Sequence, residues 1–162
     1  MGLPSKLKNM NLFHDGVSFL GLVPEVSLPK LSRKMEGYRG GGMDGEVDVD
    51  MGGEKLEMEW TAGGLIVEVM RQYGEVTHDA TQMRFAGAYQ AEDTGLVVPV
   101  EVVVRGRHQE IDMGNAKPGA DTEHKVKSTL SYYKLIVNGR TEIEIDVMGM
   151  KFIVNGNDRL AA

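Results

Sequence analysis

Apolar and polar residues alternate in two neighbouring runs near the middle of this 162-residue chain. Residues 46–51 read EVDVDM and residues 54–60 read EKLEMEW, with Gly52 and Gly53 between them. Alternation with a period of two is the pattern of a β-strand that buries one face. Because Gly-Gly is a turn signal, the two runs predict a β-hairpin with one acidic face and one apolar face.

The clearest turn signal lies near the C-terminus, at Asn138-Gly139. Asn-Gly is the preferred pair for a type I′ turn, because both positions need a positive φ. It separates two predicted strands, residues 125–137 and 141–147, and a further short strand is predicted for residues 151–154. Earlier in the chain, residues 97–105 are predicted to form a strand, and residues 108–113 are predicted to pair back on it.

A single helix is predicted just after Gly64. In this segment apolar side chains recur at the helical spacing of three and four residues, and Gly74 is positioned to end the helix. The apolar positions are Leu65, Ile66, Val69, Met70 and Tyr73. Strands on both sides of one helix, without repeated strand–helix–strand alternation, predict a mainly β fold. We expect a small antiparallel β-barrel or sandwich with one flanking α-helix, in a single domain that spans residues 1–162.

The composition supports a turn-rich β protein and argues against several classes of function. Glycine accounts for 21 residues and proline for only 5. Lysine and arginine total 18 and aspartate and glutamate total 24, which gives a net charge of −6. This charge argues against tight non-specific nucleic-acid binding and against adhesion to anionic membranes. The absence of cysteine excludes disulfides and zinc–thiolate sites. No long apolar run or signal-peptide core is found, so we expect no membrane anchor.

Histidine and glycine give no signal for a metal or phosphate site. The four histidines are His14, His78, His108 and His124. No two of them are three or four residues apart, so we expect no bound metal and a surface or turn position for each. The glycines at residues 40–42 are not followed by the Lys-Ser/Thr of a phosphate-binding loop. They predict a flexible or closely packed loop instead.

Pairs of acidic residues two positions apart share one face of a predicted strand. These pairs are Asp48/Asp50, Glu57/Glu59 and Glu142/Glu144. A catalytic pair normally places one carboxyl group in an apolar pocket, so that the two pKa values differ. Here the acids form long regular stripes, which indicate a solvated strand face. We therefore expect no enzyme and no cofactor. A stripe that faced a channel would repel polyanions and let them pass without sticking.

The sequence resembles one known family along nearly its whole length. Residues 26–43 read VSLPKLSRKMEGYRGGGM, and this segment is similar to the tube protein of the contractile tails of P2-like bacteriophages and R-type pyocins. The opening KLKNMNLFHDGVSFLG also resembles that family. Later segments agree in order: LSYYKL at residues 130–135, the Asn-Gly turn, EID at residues 144–146, and NGNDRL at residues 155–160.

The resemblance implies an assembly. Hexameric rings would stack into a hollow, negatively lined tube inside a contractile sheath, as a conduit for DNA or ions across the cell envelope. The implied partners are other copies of the chain, the tail sheath protein, baseplate and tail terminator proteins, and a tape-measure protein in the lumen. DNA would pass without specific binding. The implied location is the virion tail or pyocin particle, assembled in the host bacterial cytoplasm.

The resemblance and the charge pattern together suggest candidate site residues. The candidates for lining the lumen are Asp48, Asp50, Glu57 and Glu59, with the stripe Glu142, Glu144 and Asp146 as a competitor. The candidates for contacts between subunits or rings are Arg39, Gly40, Gly41, Gly42 and Met43, in a loop of about residues 35–45. An N-terminal arm (about 1–15) and a C-terminal tail (about 151–162) are weaker contact candidates.

Three other functions are alternatives to the tail tube. A tube protein of a related contractile injection or secretion system shares the expected fold class. A carbohydrate- or peptide-binding β-sandwich would favour exposed aromatic residues, yet only 6% of the chain is aromatic. A hydrolase with paired acids lacks the apolar pocket that such a pair needs. Self-assembly into rods separates the two tube proteins from the other two functions.

Overall fold

The described part of the chain in this computed structural model comprises residues 3–19, 21–75, 81–119 and 122–159. These residues form twelve strands and one short helix. The elements are β1 (Ser5–His14), β2 (Val17–Ser18), β3 (Glu25–Ser27), β4 (Arg33–Tyr38), β5 (Val47–Gly53), β6 (Leu56–Ala62), α1 (Val67–Met70), β7 (Thr81–Ala91), β8 (Val97–Asp112), β9 (His124–Val137), β10 (Arg140–Asp146), β11 (Lys151–Val154) and β12 (Asn157–Asp158). The mainly β, antiparallel fold class is thus confirmed.

Ten strands form one antiparallel sheet that divides at β9. The hydrogen-bonded order is β12-β11-β10-β9-β8-β7-β1-β2, while β6 pairs with β9 and with β3. Strand β8 pairs along both halves of β9. On the other edge of β9, residues 124–130 pair with β6 and residues 132–137 pair with β10. The sheet therefore opens between β6 and β10.

The core fills the space between β6 and the β7–β9 part of the sheet. Every second residue of β6, from Leu56 to Ala62, is buried in this core, while Glu57, Glu59 and Thr61 face outward. The core residues with the least exposure are Leu12, Phe19, Met58, Trp60, Ala62, Val69, Met83, Phe85, Val102, Val104 and Val126. Alternation on β6 thus predicted its buried face correctly, because a strand that packs against a core must keep a period of two.

The C-terminal hairpin is also confirmed. Asn138 and Gly139 have φ values of 52° and 80°, as a type I′ turn requires, and they join β9 to β10. The same pair of residue types repeats at Asn155 and Gly156, with φ values of 53° and 79°, between β11 and β12. Two Asn-Gly turns therefore build the β9–β12 end of the sheet.

The hairpin predicted across Gly52-Gly53 is wrong. Both glycines belong to β5, which pairs with β4 in a separate two-stranded sheet, whereas β6 pairs with β3 and β9. The alternation in residues 46–60 thus covers two strands in different surroundings. Leu56, the first residue of β6, is buried, while Val47 at the start of β5 is exposed because the main sheet does not cover it.

The chain reversal predicted between residues 97–105 and residues 108–113 is wrong as well. Strand β8 runs without a break from Val97 to Asp112, and its register with β9 shifts beside Gly106. A Cβ atom at Gly106 would lie 2.0 Å from the carbonyl oxygen of Thr129. The glycine therefore permits close approach of two strands at a β-bulge, and it does not reverse the chain.

The predicted helix is much shorter than its apolar pattern suggests. Only Val67–Met70 is α-helical, and the N–H groups of Gln72 and Tyr73 bond back three residues to the carbonyls of Val69 and Met70. Such bonding marks the tight turn that ends a helix. Tyr73 is exposed, so tertiary packing covers only part of the apolar stripe. Short helices need that packing to persist. Of the described residues, no helix is long and apolar enough to span a membrane.

Candidate assembly surfaces

The β4–β5 hairpin, residues 33–53, stands as a two-stranded sheet apart from the main sheet. Its base is fixed by Arg33. The Nε atom of Arg33 lies 2.9 Å from Oδ2 of Asp50, and its guanidinium group lies 4.6 Å from the centre of the Phe152 ring. The amide of Glu54 donates to the carbonyl of Ser32 at 2.9 Å. These contacts attach the hairpin to β11 and orient its strands.

The β4–β5 hairpin leaves large apolar side chains uncovered. Each of the five is between 42% and 58% exposed. They are Met35, Tyr38, Val47, Val49 and Met51. An isolated two-stranded hairpin is only marginally stable in water, and exposed apolar side chains add a further cost. The hairpin is therefore suited to pack against another surface.

The tip of this hairpin brings together all five predicted contact residues. The amide of Met43 donates to the carbonyl of Gly40 at 3.2 Å, which closes a turn over residues 40–43. The Nε atom of Arg39 donates to the carbonyl of Met43 at 3.2 Å. Gly42 has a φ of 86°, a value that favours glycine. The segment predicted as a loop over residues 35–45 therefore consists of the end of β4 and this turn.

The four acids predicted for the lumen do not share one hairpin. Asp48 and Asp50 lie on β5, whereas Glu57 and Glu59 lie on the outer face of β6. Asp50 accepts hydrogen bonds from the amide of Gly52 and from Arg33, and these bonds hold the pKa of its carboxyl group below the ordinary value. Its charge is thus largely balanced within the hairpin.

Glu57 and Glu59 differ in their partners. Glu57 lies 3.2 Å from Nζ of Lys55 and 3.3 Å from Nζ of Lys127, and hydrogen bonds from these two lysines lower the pKa of its carboxyl group. Within the described ranges, neither Glu59 nor Asp48 has an ion-pair partner. Their charges are therefore the least compensated of the four candidates.

The competing stripe on β10 is tied into the sheet. Glu144 accepts a hydrogen bond from the hydroxyl of Tyr132, and the guanidinium group of Arg105 lies 4.8 Å from the centre of that ring. Burial, with the neighbouring Glu144, raises the pKa of Tyr132 to about 12. Asp146 accepts a hydrogen bond from the amide of Gly149 at 2.9 Å. The third acid, Glu142, lies 3.9 Å from Nε of Arg140, so all three acids on this stripe have partners within the copy.

A groove of about 590 Å³ lies where the sheet divides, and the sequence did not predict it. Its floor is the apolar face of β10 and β11, where Ile143 pairs with Val154 and Ile145 pairs with Phe152. All four side chains are half-buried. The base of the β4–β5 hairpin forms one wall. The one feature of the sequence that indicates this groove is the apolar run VMGM at residues 147–150, because turns are usually polar.

The three histidines within the described residues are buried, so the predicted surface or turn positions are wrong. The Nε2 atoms of His14 and His108 lie 3.0 Å apart, and Nδ1 of His108 lies 2.9 Å from Oγ of Ser128. His124 is buried as well, while His78 lies outside the described residues. The described residues contain no group of three histidine or acidic side chains placed to hold a metal ion.

The predicted terminal segments are parts of the main sheet in this structure. Residues 5–14 form β1, which pairs with β7; Lys151–Val154 form β11, which pairs with β10, and Asn157–Asp158 form the edge strand β12. Residues 1–2 and 160–162 lie outside the described residues.

Comparison with known proteins identifies the family. The family model described as "Phage tail tube protein FII" matches residues 4–162. The chain belongs to the phage tail tube protein family. It is 48% identical to the tail tube protein of Escherichia phage P2, over 99% of this chain and 95% of that protein. It is 39% identical to the major tail tube protein of Serratia phage KSP20, over 98% and 92%. As a member of this family, the chain is a structural protein of the virion tail and not an enzyme.

Solved structures of contractile injection systems share the fold of this phage tail tube protein. A chain of the PVC sheath–tube complex in its extended state matches with a TM-score of 0.59, over 83% of this chain and 90% of that chain. A chain of the anti-feeding prophage baseplate matches with the same score, over 84% and 97%. Both are 10% identical, so they support the architecture and nothing finer.

Proposed function

We propose that this phage tail tube protein forms hexameric rings that stack into a hollow conduit inside a contractile sheath. One observation carries the proposal: the β4–β5 hairpin stands apart from the main sheet and exposes five large apolar side chains. In a single copy these side chains remain in contact with water. In an assembly they become buried, and that burial supplies the driving force for association.

The contact between copies centres on the tip of the β4–β5 hairpin, formed by Arg39, Gly40, Gly41, Gly42 and Met43. Glycines let another backbone approach closely, since they have no side chain to displace. The guanidinium group of Arg39 has donors left over after its bond to Met43, and these are suited to a carboxylate on a neighbouring copy. The described parts of the N-terminal arm and the C-terminal tail lie in the main sheet and are weaker contact candidates.

The lumen of the tube is lined by acids, of which Asp48 and Glu59 make the largest contribution. Neither carboxylate has an ion-pair partner in the described part of the chain, whereas Asp50 and Glu57 are paired with arginine or lysine. A net charge of −6 per copy gives −36 for six copies (6 × −6). A negative wall repels phosphates, so DNA would pass without specific binding.

The partners of the tube are the tail sheath protein, the baseplate and tail terminator proteins, and a tape-measure protein in the lumen. Assembly takes place in the host bacterial cytoplasm. Proteins with the same fold come from a sheath–tube complex, a sheath/tube terminator and a baseplate of contractile injection systems. A second candidate function is the tube of such an injection system. The 48% identity to a phage protein, against 10% for the PVC chain, favours the phage tail.

Electron microscopy of the purified protein over a concentration series tests the proposal. We expect hollow rods with sixfold end views, grown alone or after addition of a lysate that contains baseplates. Arg39→Ala should yield fewer and shorter rods. Arg71 is also an exposed arginine but lies outside the hairpin, so Arg71→Ala should behave as the wild type. Wild-type protein that stays monomeric even with baseplates would contradict the proposed function. Unchanged rods with Arg39→Ala would contradict the contact role of the hairpin tip.

A further inference from the structure

Two exposed Asn-Gly turns with nearly the same backbone lie in the β9–β12 part of the sheet. Asn138-Gly139 joins β9 to β10, and Asn155-Gly156 joins β11 to β12. The φ values of the two asparagines are 52° and 53°, and those of the two glycines are 80° and 79°. All four residues are exposed. The contacts of the asparagine side chains are therefore the main structural difference between the two turns.

Asn-Gly is the sequence in which an asparagine side chain reacts most readily with its own backbone. The deprotonated amide nitrogen of the glycine attacks Cγ of the asparagine, the bond from Cγ to Nδ2 breaks, and ammonia leaves with the proton that the glycine nitrogen gave up. Water then opens the cyclic imide to aspartate or isoaspartate. The balance is an amide plus water to a carboxyl group plus ammonia. Glycine favours the attack because no Cβ shields its nitrogen, and such asparagines are among the thermolabile residues of proteins.

The attacking nitrogen is available in both turns. Neither Gly139 nor Gly156 donates its amide to an acceptor among the described residues. Both amides are also exposed to the water that removes the proton. The first requirement of the reaction is thus met equally, and the freedom of the asparagine side chain to reach the nitrogen decides which turn reacts.

The side chain of Asn155 is tethered, whereas that of Asn138 is not. Oδ1 of Asn155 accepts a hydrogen bond from Nη2 of Arg140, at the start of β10. In the described part of the chain, the side chain of Asn138 has no hydrogen-bond partner. Ring closure brings Cγ onto the nitrogen of the next residue, within the turn itself. The tether draws the carbonyl group of Asn155 toward the neighbouring strand instead, and a bond to a charged donor is one of the stronger hydrogen bonds.

We infer that Asn138 is a site of spontaneous deamidation in this protein and that Arg140 protects Asn155 from the same reaction. The inference does not depend on the proposed ring assembly. Each event replaces a neutral amide by a carboxylate, so the net charge of the copy changes from −6 to −7 (−6 − 1). Isoaspartate also adds a methylene group to the main chain, which a two-residue turn between β9 and β10 does not accommodate. Copies in an assembled tail are not renewed, so the modified form accumulates with age.

Peptide mapping by mass spectrometry tests the inference on the purified, folded protein during incubation at mildly alkaline pH. Each event changes the peptide mass by the difference between an amino and a hydroxyl group, and isoaspartate is separated by its retention. We expect Asn138 to react about fivefold faster than Asn155, the factor that one net hydrogen bond contributes. In concentrated urea, where neither turn persists, the two rates should become equal. No reaction at Asn138, or a rate at Asn155 that equals or exceeds it in the folded protein, would overturn the inference.

Two arginine variants separate the hydrogen bond from the loss of a positive charge. Arg140→Ala should raise the rate at Asn155 about fivefold, because it removes the tether. Arg159 is exposed and follows Asn155 by four residues, but its side chain does not bind Asn155, so Arg159→Ala should leave that rate unchanged. Fluorescence of the buried Trp60 verifies that both variants are folded. An unchanged rate at Asn155 in Arg140→Ala, or an equal increase in Arg159→Ala, would overturn the protective role of Arg140.

Discussion

Acidification should destabilise this protein through the buried pair His14 and His108. Their Nε2 atoms lie 3.0 Å apart, so one ring must donate a proton and the other must accept it. Burial is the main cause that lowers the pKa of both imidazoles, to about 4 for His108, and the neighbouring His14 lowers that of His108 further. Among the described residues, the charged groups that act on the pair are Asp15 and Glu68, and both favour protonation.

The size of the effect follows from the two states of His108. Its pKa is about 4 in the folded protein and 6.5 in the reference state, a difference of about 2.5. Each pKa unit corresponds to about 1.4 kcal/mol, so His108 can account for about 3 kcal/mol. The folded state binds fewer protons than the unfolded state. The stabilisation is therefore complete above pH 6.5 and is lost as the pH falls toward 4. His14 acts in the same direction.

Urea unfolding at several pH values between 7.5 and 4 measures this loss. Trp60 is the single tryptophan and is buried, so its fluorescence reports on the core. His108→Gln keeps a hydrogen-bonding side chain that does not titrate, and it should weaken the pH dependence between 6.5 and 4 by removing the contribution of His108, while that of His14 remains. His124→Gln is the matched control, because it replaces another buried histidine and leaves the pair intact. Equal pH dependence in wild type and His108→Gln would refute this reasoning.

Three other predictions concern single elements of the fold. Gly106→Ala should lower the free energy of unfolding by about 3 kcal/mol, since its Cβ would clash with the Thr129 carbonyl, and the clash-free Gly45→Ala serves as control in the same urea titration. Asn138→Ala should cost about 1 kcal/mol, because alanine disfavours the positive φ of this turn; a stability equal to wild type would count against the assigned turn. Arg33→Ala removes the ion pair and ring contact at the base of the β4–β5 hairpin. It should speed amide exchange in β4 and β5 while global stability changes by less than about 1 kcal/mol, and unchanged exchange would show that these contacts do not hold the hairpin.

Short sequence patterns correctly predicted those elements whose structure is determined by residues close together in the chain. The Asn138-Gly139 turn has a backbone requirement that two residues fulfil by themselves, so it could be located from the sequence. The buried face of β6 could be identified because alternation reflects a core on one side. The resemblance to the tail tube family rested on long motifs such as LPKLSRKMEGYRGGGM, and it supplied the function that the residue pattern alone did not.

Features that depend on distant parts of the chain could not be predicted in this way. His14 and His108 are 94 residues apart in sequence, and nothing near either histidine indicates that they meet in the core. The pairing of β5 with β4 was missed because Gly52-Gly53 continues a strand here instead of turning. The groove arises where β9 exchanges one neighbour for another, which is a property of the folded sheet and of no single segment.

Cryo-electron microscopy of assembled tubes tests the central claim most directly. The account predicts rings of six copies around a hollow axis, with the β4–β5 hairpin of each copy buried against another copy and Asp48 and Glu59 facing the lumen. Hairpins that remain in solvent, or a lumen from which both acids point away, would contradict it.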